Sequence, residues 1–485
     1  MTNQLKFIYL TLSLLLFAGV SSITAATSAD QERIQDLEKT VKELQEQNQK
    51  ILLLLEQLQA TKSKEPVLPT NSGPSMVAKP STLPTSDGEK AVKTTTLGDT
   101  DLRFYWKNGV NIESGDKKTF KGKLGGRVHF DTAFFSQDAN VRSNVGDAPA
   151  GARFRRARLA FSGKVDAGIP THFKNQIDFA DGGVTLKDVF AGISDIPVIG
   201  SLQIGNFHEP FSLEELTSSR YITFIERASP ITTFGADRNV GVMAQKNFLK
   251  DDRALWSVGF FTDTGGSGRG SLDSDVRLTA RLSGLPWYDA ESGGRRYLHL
   301  GGSVVAANSQ DDMERFRTRP EISLAPNYVD TGAYAADSAF YSHLEALLTM
   351  GSLSFQSELF HTYTDTIVGP DASFDALYLQ GSWMLTGEHR PYNKKLGAAG
   401  RLIPNRNFSF RDHGSGAWEL ALRYSRTDLN GGLINGGRLS DITAGVNWYI
   451  SPTLRAMVNY IHSHLDRNGL EGNSHIISSR VSIDF

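Results

Sequence analysis

In the stretch Ser478-Ser-Arg-Val-Ser-Ile-Asp-Phe485, polar and apolar side chains alternate strictly from Arg480 onward. Val481, Ile483 and Phe485 would share one face of a β-strand, with polar residues on the other, because successive side chains of a strand point to opposite sides. One face is apolar enough for lipid and the other polar enough for water. The pattern predicts a fold with lipid outside and water inside, which makes a pore the leading interpretation.

The same alternation recurs through residues 120–485 and predicts a transmembrane antiparallel β-barrel there. Examples are 124–134, 155–165, 172–179, 276–283, 418–425 and 442–450. Gly-rich and Asn-Gly turn signals separate such segments. A soluble β-sandwich or propeller would also alternate. A sandwich of this length would tend to divide into domains, however, and the zone contains no second linker.

Residues 1–26 have the layout of a secretory signal peptide. The apolar run Ile8–Val20 follows Lys6 and precedes small residues, with cleavage expected near Ala26. An N-terminal membrane anchor is the alternative. The run is shorter than the ~20 residues that a spanning helix needs.

Residues 27–60 contain a heptad stripe that predicts a short α-helical coiled coil in the periplasm. Its core positions are Ile34, Leu37, Val41, Leu44, Asn48, Ile51, Leu55 and Leu58. The lone polar core residue, Asn48, would fix the register. The alternative is an amphipathic helix lying on its own barrel. The position preferences favour a dimer.

Residues 61–119 are interpreted as a linker and barrel entry. Five prolines lie among Ser, Thr, Lys and Gly between 61 and 100, and this part lacks the apolar surface to fold. The linker would hold the coiled coil away from the membrane.

Composition excludes several classes of function. The chain has no cysteine, so it has no disulfide, thiol nucleophile or thiolate metal site. The formal net charge of −2 provides no global field that would favour nucleic acid. The sequence predicts no cofactor and no enzymatic reaction.

Several stretches together resemble the phosphate-selective porin family, the O/P-type porins of Gram-negative outer membranes. They are Gly125-Gly-Arg-Val128, Phe154-Arg-Arg-Ala157, Leu216-Thr-Ser-Ser-Arg220, Glu226-Arg227, 383–392, 416–425, 442–449 and 457–462. The resemblance implies an outer-membrane barrel of about sixteen strands, usually a homotrimer. It also implies a loop folded into the lumen and passive anion passage guided by basic side chains.

The resemblance extends to individual positions. Arg127, Arg155 and Arg156 match the family's basic positions on the first two strands, and Lys174 lies in a matching stretch of the third. Phe211–Ile225 matches the constricting loop. Where the family's phosphate-binding pore has a lysine, this chain has Glu215 beside Glu214, a departure that weakens the expectation of phosphate preference but not that of a pore.

Arginine suits an anion pore because its guanidinium remains charged and offers a fork of donors to oxyanions. A row of such groups provides shallow sites that an ion can leave. The candidate pore-lining residues are Arg127, Arg155, Arg156, Arg158, Lys174, Arg277, Arg281, Arg315, Arg317 and Arg319, and the candidates in the constricting loop are Glu214, Glu215 and Arg220. Arg315, Arg317 and Arg319 recur every second residue, which predicts one strand face with three cations.

Two alternatives concern these arginines. Each could be a wall residue paired with a carboxylate such as Asp131, Asp178, Asp188 or Glu419. In addition, Arg155 and Arg156 cannot share one face of a regular strand, so one of them needs a bulge or a rim position.

The sequence thus favours an outer-membrane porin for the passive diffusion of small hydrophilic solutes, with anions preferred, and with its N-terminal region in the periplasm. Its partners would be outer-membrane lipid and further copies of itself. The second hypothesis is a structural tether that links the barrel to peptidoglycan or a periplasmic partner through the coiled coil. The third is a rim hydrolase at His462-Ser-His464, but no spaced carboxylate completes a triad or a metal site there.

Overall fold

The computed structural model of the chain describes residues 93–97, 100–264 and 276–485. The predicted signal peptide and coiled coil, and the linker as far as residue 92, lie outside the described residues. The described residues belong to one compact unit, 86–485. Among them, no helix combines the length and hydropathy needed to cross a bilayer.

Twenty-four strands make up most of this unit. The first twelve are β1 Lys93–Leu97, β2 Thr100–Trp106, β3 Val110–Ser114, β4 Phe120–Gln137, β5 Gly151–Asp166, β6 Pro170–Asp178, β7 Thr185–Ile196, β8 Gly200–His208, β9 Arg238–Phe248, β10 Ala254–Thr262, β11 Val276–Tyr288 and β12 Arg296–Asn308. The remainder are β13 Met313–Glu314, β14 Arg317–Thr318, β15 Val329–Asp330, β16 Tyr334–Met350, β17 Leu353–Thr366, β18 Ala372–Met384, β19 Tyr392–Asn393, β20 Ala398–Ala399, β21 Ala417–Gly431, β22 Ile434–Ser451, β23 Leu454–Arg467 and β24 Leu470–Asp484. The helices are α1 Ala139–Val145, α2 Leu213–Leu216 and α3 Ser229–Phe234, and 3-10 turns span Ala180–Gly182, Lys250–Asp252 and Gln310–Asp312.

Sixteen of these strands close into an antiparallel barrel, which confirms the predicted fold. They are β4 to β12, β16 to β18 and β21 to β24, and each pairs with the next. The last strand, β24, pairs with the first, β4, from Ser474 opposite Gln137 to Asp484 opposite Arg127. Beyond that pair, Phe485 exchanges two backbone hydrogen bonds with Gly126, at 2.8 and 3.1 Å.

The barrel is apolar outside and polar inside. On the outer face of the β24–β4 seam, Phe134 is 61% exposed and Ile477 55%, whereas the inward-facing Asp131 and Arg480 are buried. The last strand therefore has the two faces that its alternation predicts. Antiparallel pairing satisfies the backbone polar groups that would otherwise face lipid.

Three short strands extend the barrel wall at the end where the chain finishes. There β4 runs past the end of β24, and β3 takes its free edge, with Val110 opposite Leu124. β2 pairs with β3, and β1 with β2. The strand β1 lies within residues 61–100, for which the sequence predicts an extended linker. This stretch has few apolar side chains to bury, and it is ordered instead by pairing its backbone N–H and C=O groups with those of β2.

Three connections carry residues of the lumen. The constriction loop, 209–237, joins β8 to β9 and contains α2 and α3. The loop 309–333 joins β12 to β16 at the same end of the barrel, and the loop 385–416 joins β18 to β21 at the opposite end. Both further loops contact the constriction loop: the Thr318 hydroxyl hydrogen-bonds that of Thr232 at 2.6 Å, and the backbone N–H of Ala399 donates to the hydroxyl of Thr217 at 3.3 Å.

Candidate functional site

The constriction loop is attached to the barrel wall through the start of α2. Ser212 caps this helix by accepting the N–H of Glu215 at 3.1 Å. The carboxylate of Glu358 on β17 accepts the N–H groups of Leu213 and Glu214, at 3.1 and 2.8 Å. These are N–H groups that the first turn of a helix leaves without a partner, and a carboxylate is well suited to them.

Apolar side chains fill the space between this loop and the wall. Ile222, Phe224 and Ile225 are at most 1% exposed. The ring of Phe224 lies below Arg423, with the guanidinium carbon 4.3 Å from the ring centre. On β22, a Cβ at Gly445 would lie 3.1 Å from this ring, so a glycine there allows its close approach. The loop therefore has a fixed position across the lumen, as the matched segment 211–225 predicts.

Glu226 is the carboxylate on which the basic side chains of the lumen converge. Its oxygens lie 2.9 Å from Arg155, 3.6 Å from Arg156 and 2.7 Å from Arg480. Burial raises the pKa of Glu226, but its three guanidinium partners outweigh burial and hold this pKa well below the usual range. Glu226 is thus a permanent anion that neutralises part of the basic wall.

Arg155 and Arg156 both reach Glu226 because the strand is irregular between them. On β5, Arg156 pairs with His129 and Phe154 pairs with Phe130, so Arg155 has no partner in the ladder. Such an extra residue is a β-bulge, which turns a side chain that would otherwise face lipid. The sequence requires this irregularity or a rim position, and the structure has the bulge.

Two arginines of the lumen contact hydroxyl or aromatic groups instead of carboxylates. Arg127 donates to Ser219 at 2.7 Å and to Ser218 at 3.3 Å. Arg220 lies over the ring of Tyr221, 5.3 Å from its centre. Within the described residues, neither guanidinium has a carboxylate at ion-pair distance. Their charges remain available to a passing ion.

Two further basic residues of these strands, Arg158 on β5 and Lys174 on β6, are paired with carboxylates. Arg158 donates to Asp178 at 2.6 Å. Lys174 pairs with Asp188, which also accepts from Arg238 at 2.8 Å. These contacts match the alternative interpretation, in which a basic side chain of the wall is balanced by an internal ion pair.

Arg277 and Arg281 are also paired, each with a buried glutamate. Arg277 donates to Glu209, the first residue of the constriction loop, at 2.8 Å. Arg281 donates to Glu345 at 3.0 Å and to the carbonyl of Gly397 at 2.7 Å. The two arginines lie on one inward face of β11, as their spacing predicts, but only Arg281 borders the open lumen.

Arg315, Arg317 and Arg319 lie in the loop 309–333 and not in a barrel strand, which corrects the prediction of one strand face with three cations. Only Arg317 belongs to a strand, the two-residue β14. Pro320 ends the extended stretch because it has no N–H to donate. The three side chains nevertheless border one cavity of about 540 Å³, and Arg315 donates to Asp330 at 2.9 Å.

The two glutamates of the constriction loop have different surroundings. Glu214 is buried against the wall, where burial, only partly offset by Arg423, raises its pKa to about 7. Glu215 borders the lumen, 3.2 Å from Arg227 and 3.0 Å from His208. Burial raises the pKa of Glu215, but Arg227 and His208 outweigh it and lower the pKa. The acidic spot that the sequence indicates is therefore compensated by a neighbouring guanidinium.

The narrow part of the lumen is a cavity of about 580 Å³ with strongly basic walls. Ten of its lining residues are cationic: Arg127, Arg155, Arg156, Arg158, Lys174, Lys187, Arg220, Arg227, Arg238 and Arg281. Four are acidic: Asp188, Glu215, Glu226 and Asp237. The formal balance of the lining, ten minus four, is +6. Even with Asp178 and Glu345 added from behind the lining, it stays at +4.

Sequence reasoning missed three of these cations, Lys187, Arg227 and Arg238, and the role of Glu226. Arg227 and Glu226 stand in a stretch that carries the family resemblance, so that stretch could have indicated them. Lys187 lies on β7 and Arg238 on β9, and the alternation of polar and apolar residues in these strands does not show which face is inward. Only the pairing of β7, β8 and β9 brings them to the lumen.

A closed barrel with a lipid-compatible exterior, a polar interior and an inward loop defines an outer-membrane channel of the porin class. The chain belongs to the phosphate-selective porin O and P family, whose model matches residues 123–485. It is an outer-membrane porin.

The chain is similar to two curated proteins. An uncharacterized protein of Caulobacter vibrioides is 27% identical over 462 residues, which cover 92% of this chain and 89% of that protein. Porin O of Pseudomonas aeruginosa is 25% identical over 418 residues, covering 77% of this chain and 90% of that protein. Among solved structures, the anion-selective porin from Comamonas acidovorans is similar with a TM-score of 0.48 and 13% identity, covering 76% of this chain and all of that one.

Proposed function

We propose that the pore passes small anions in preference to cations. The observation that supports this most directly is the formal balance of +6 in the residues that line the narrow cavity. A water-filled passage with walls of one sign concentrates ions of the opposite sign, and low-dielectric surroundings strengthen the effect.

The arrangement of the cations favours passage over retention. Arg127 and Arg220 lack carboxylate partners within the described residues, while Arg158, Lys174 and Arg238 are held by carboxylates. An anion at the constriction would find a few guanidinium groups without a carboxylate partner among many basic side chains that are already paired. Sites of this kind bind weakly enough for the ion to leave, which conduction requires.

Oxyanions of the phosphate type are proposed permeants, because guanidinium groups offer them paired donors. The compensation of Glu215 by Arg227 removes the main objection that the sequence raises to this class. The solute is nevertheless a separate proposal from anion preference.

Both proposals can be tested with the purified porin in planar bilayers. In a salt gradient, the reversal potential should show anion preference, and a cation-selective potential would refute the first proposal. Phosphate added to a chloride solution should reduce the chloride current if the constriction holds oxyanions. Unchanged chloride current at all phosphate concentrations would refute only the second.

We also propose that the porin assembles as a homotrimer, as the family resemblance implies, with the heptads of residues 34–58 contributing to self-association. Cross-linking of the full chain in detergent should yield a trimer as the largest discrete species. Deletion of residues 27–92, which leaves β1 in place, distinguishes a pure channel, which keeps its single-channel conductance, from a tether, whose loss would weaken the cohesion of the envelope.

A further inference from the structure

Three histidines lie together on the outside of the barrel, at the end opposite the C-terminus. His462 and His464 are on β23, and His475 is on β24. On the outward face of the two strands, His462 and His475 form the next pair beyond Tyr460 and Ile477, which are 43% and 55% exposed. The histidines thus lie just beyond the apolar band, at the level where an outer-membrane barrel meets lipid headgroups and water.

The strand register brings two of the imidazoles face to face. His462 pairs directly with His475, and their ring centres are 5.0 Å apart at an interplanar angle of 35°. His464 stands two residues further along β23, opposite Asn473. A diagonal neighbour of this kind lies about 7–8 Å away, within reach of a long or aromatic side chain.

Neighbouring groups orient two of these rings through one nitrogen each. The hydroxyl of Tyr460 lies 2.8 Å from Nδ1 of His475, and Oδ1 of Asn473 lies 3.1 Å from Nδ1 of His464. Within residues 93–97, 100–264 and 276–485, the Nε2 atoms of all three histidines have no hydrogen-bond partner. Metal-binding histidines are commonly held in this way, by a second-shell contact at the nitrogen that does not bind the ion.

The separation of the two facing rings fits a shared ion. A Zn–N bond is about 2.0–2.1 Å, and the ring centre lies about 1.1 Å behind the nitrogen, which puts each centre about 3.2 Å from the metal. At a tetrahedral angle, two such rings have centres about 5 Å apart. The 5.0 Å between His462 and His475 therefore requires little adjustment.

We propose that His462 and His475 bind a divalent transition-metal ion such as Zn²⁺, Cu²⁺ or Ni²⁺. The ring nitrogens of all three histidines do not lie within one coordination sphere in this conformation, so His464 would join as a third ligand by a change of its side-chain rotamer. Imidazole nitrogen suits these ions, whereas Ca²⁺ and Mg²⁺ require oxygen ligands. A fourth position faces outward, open to water or to a lipid phosphate oxygen. Because β24 is the strand that closes the barrel, the ion would also clip this strand to β23.

The full-length porin, folded in detergent, can be titrated with Zn²⁺ alone by calorimetry. We expect one ion per barrel with saturation below millimolar concentration, and at least tenfold weaker binding in His462→Ala and in His475→Ala. The matched control is His361→Ala, which removes another outward histidine that pairs with Asp375 at 2.8 Å. This control should bind Zn²⁺ like the wild type.

Two further readouts separate this site from others. Cu²⁺ bound to the wild type should show hyperfine coupling to two or three nitrogens in its electron paramagnetic resonance spectrum, and His475→Ala should lose at least one of them. Zn²⁺ should raise the temperature at which the folded gel band disappears in the wild type and in His361→Ala, but not in His462→Ala or His475→Ala. Absence of saturable binding, or wild-type affinity in both alanine variants, would refute the proposal.

Discussion

Replacing Arg127 by glutamine is the most direct test of how the constriction selects ions. Among the described residues, the guanidinium of Arg127 hydrogen-bonds only Ser218 and Ser219, so the change removes a charge without leaving a buried carboxylate in this part of the chain unpaired. Two unit charges about 5 Å apart interact by about 0.8 kcal/mol in water, and several-fold more beside a protein wall. Arg127→Gln should therefore weaken the attraction of an anion to the constriction by at least this energy and reduce the repulsion of a cation by the same amount.

The two effects add in the permeability ratio of anion to cation. Together they amount to about 1.6 kcal/mol, or roughly a tenfold fall in the ratio for Arg127→Gln at low ionic strength. In ~1 M salt the screening length of about 3 Å is shorter than the distance to the ion, so the change should shrink. Reversal potentials measured in planar bilayers at several salt concentrations report both results.

Two control variants make this test specific. Arg127→Lys keeps the charge and should keep most of the selectivity. Arg142→Gln removes an exposed cation from α1, away from the narrow cavity, and should leave the ratio unchanged. If Arg127→Gln has wild-type selectivity, or if both glutamine variants change it equally, local charge at the constriction does not govern selection.

Three other outcomes are expected. Glu226→Gln should lower the temperature at which the folded barrel unfolds on gels, because breaking a buried ion pair costs about 3–5 kcal/mol; an unchanged temperature would refute this and show that Asp131 alone is enough to neutralise Arg480. Gly125→Ala should reduce the yield of folded barrel in refolding assays, since its Cβ would lie 2.5 Å from the carbonyl oxygen of Phe485, whereas Gly183→Ala, at an exposed position with an extended backbone and open space around its Cβ, should affect this yield much less. Between about pH 5 and about pH 8, the reversal potential should change only through Glu214, whose pKa is about 7, and the lining residue His208, because the pKa values of Glu215 and Glu226 are lowered and arginine does not titrate. A pH dependence that persists in the double variant Glu214→Gln/His208→Gln would refute this assignment of charges.

The fold was largely predictable because it depends on a local pattern. The alternation in 124–134 or 442–450 needs only neighbouring residues to show which face is apolar. The bulge at Arg155 was also foreseeable, because two consecutive arginines cannot both face the lumen of a regular strand. Strand number rested on resemblance, since short strands such as β6 and β8 carry too few residues for their alternation to stand out.

The partners of the charged residues could not be predicted in the same way. Arg480 meets Glu226 across 254 residues of sequence, and Arg423 meets Glu321 across 102. Such pairs depend on the barrel register and on where the inward loops fold. For the same reason the sequence shows His462 and His464 as a pair but does not place His475 opposite them, because that requires the register of β23 and β24.

Arg480 has a consequence for biogenesis. From the final strand it contacts Asp131 on the first strand and Glu226 on the constriction loop, through 2.6 and 2.7 Å ion pairs. Arg480 lies on the strand whose pairing with β4 closes the barrel, so its contact with Asp131 can form only when the barrel closes. The final width of the pore is thus set when the barrel closes. A barrel that has not closed would also lack the charge arrangement that selects ions.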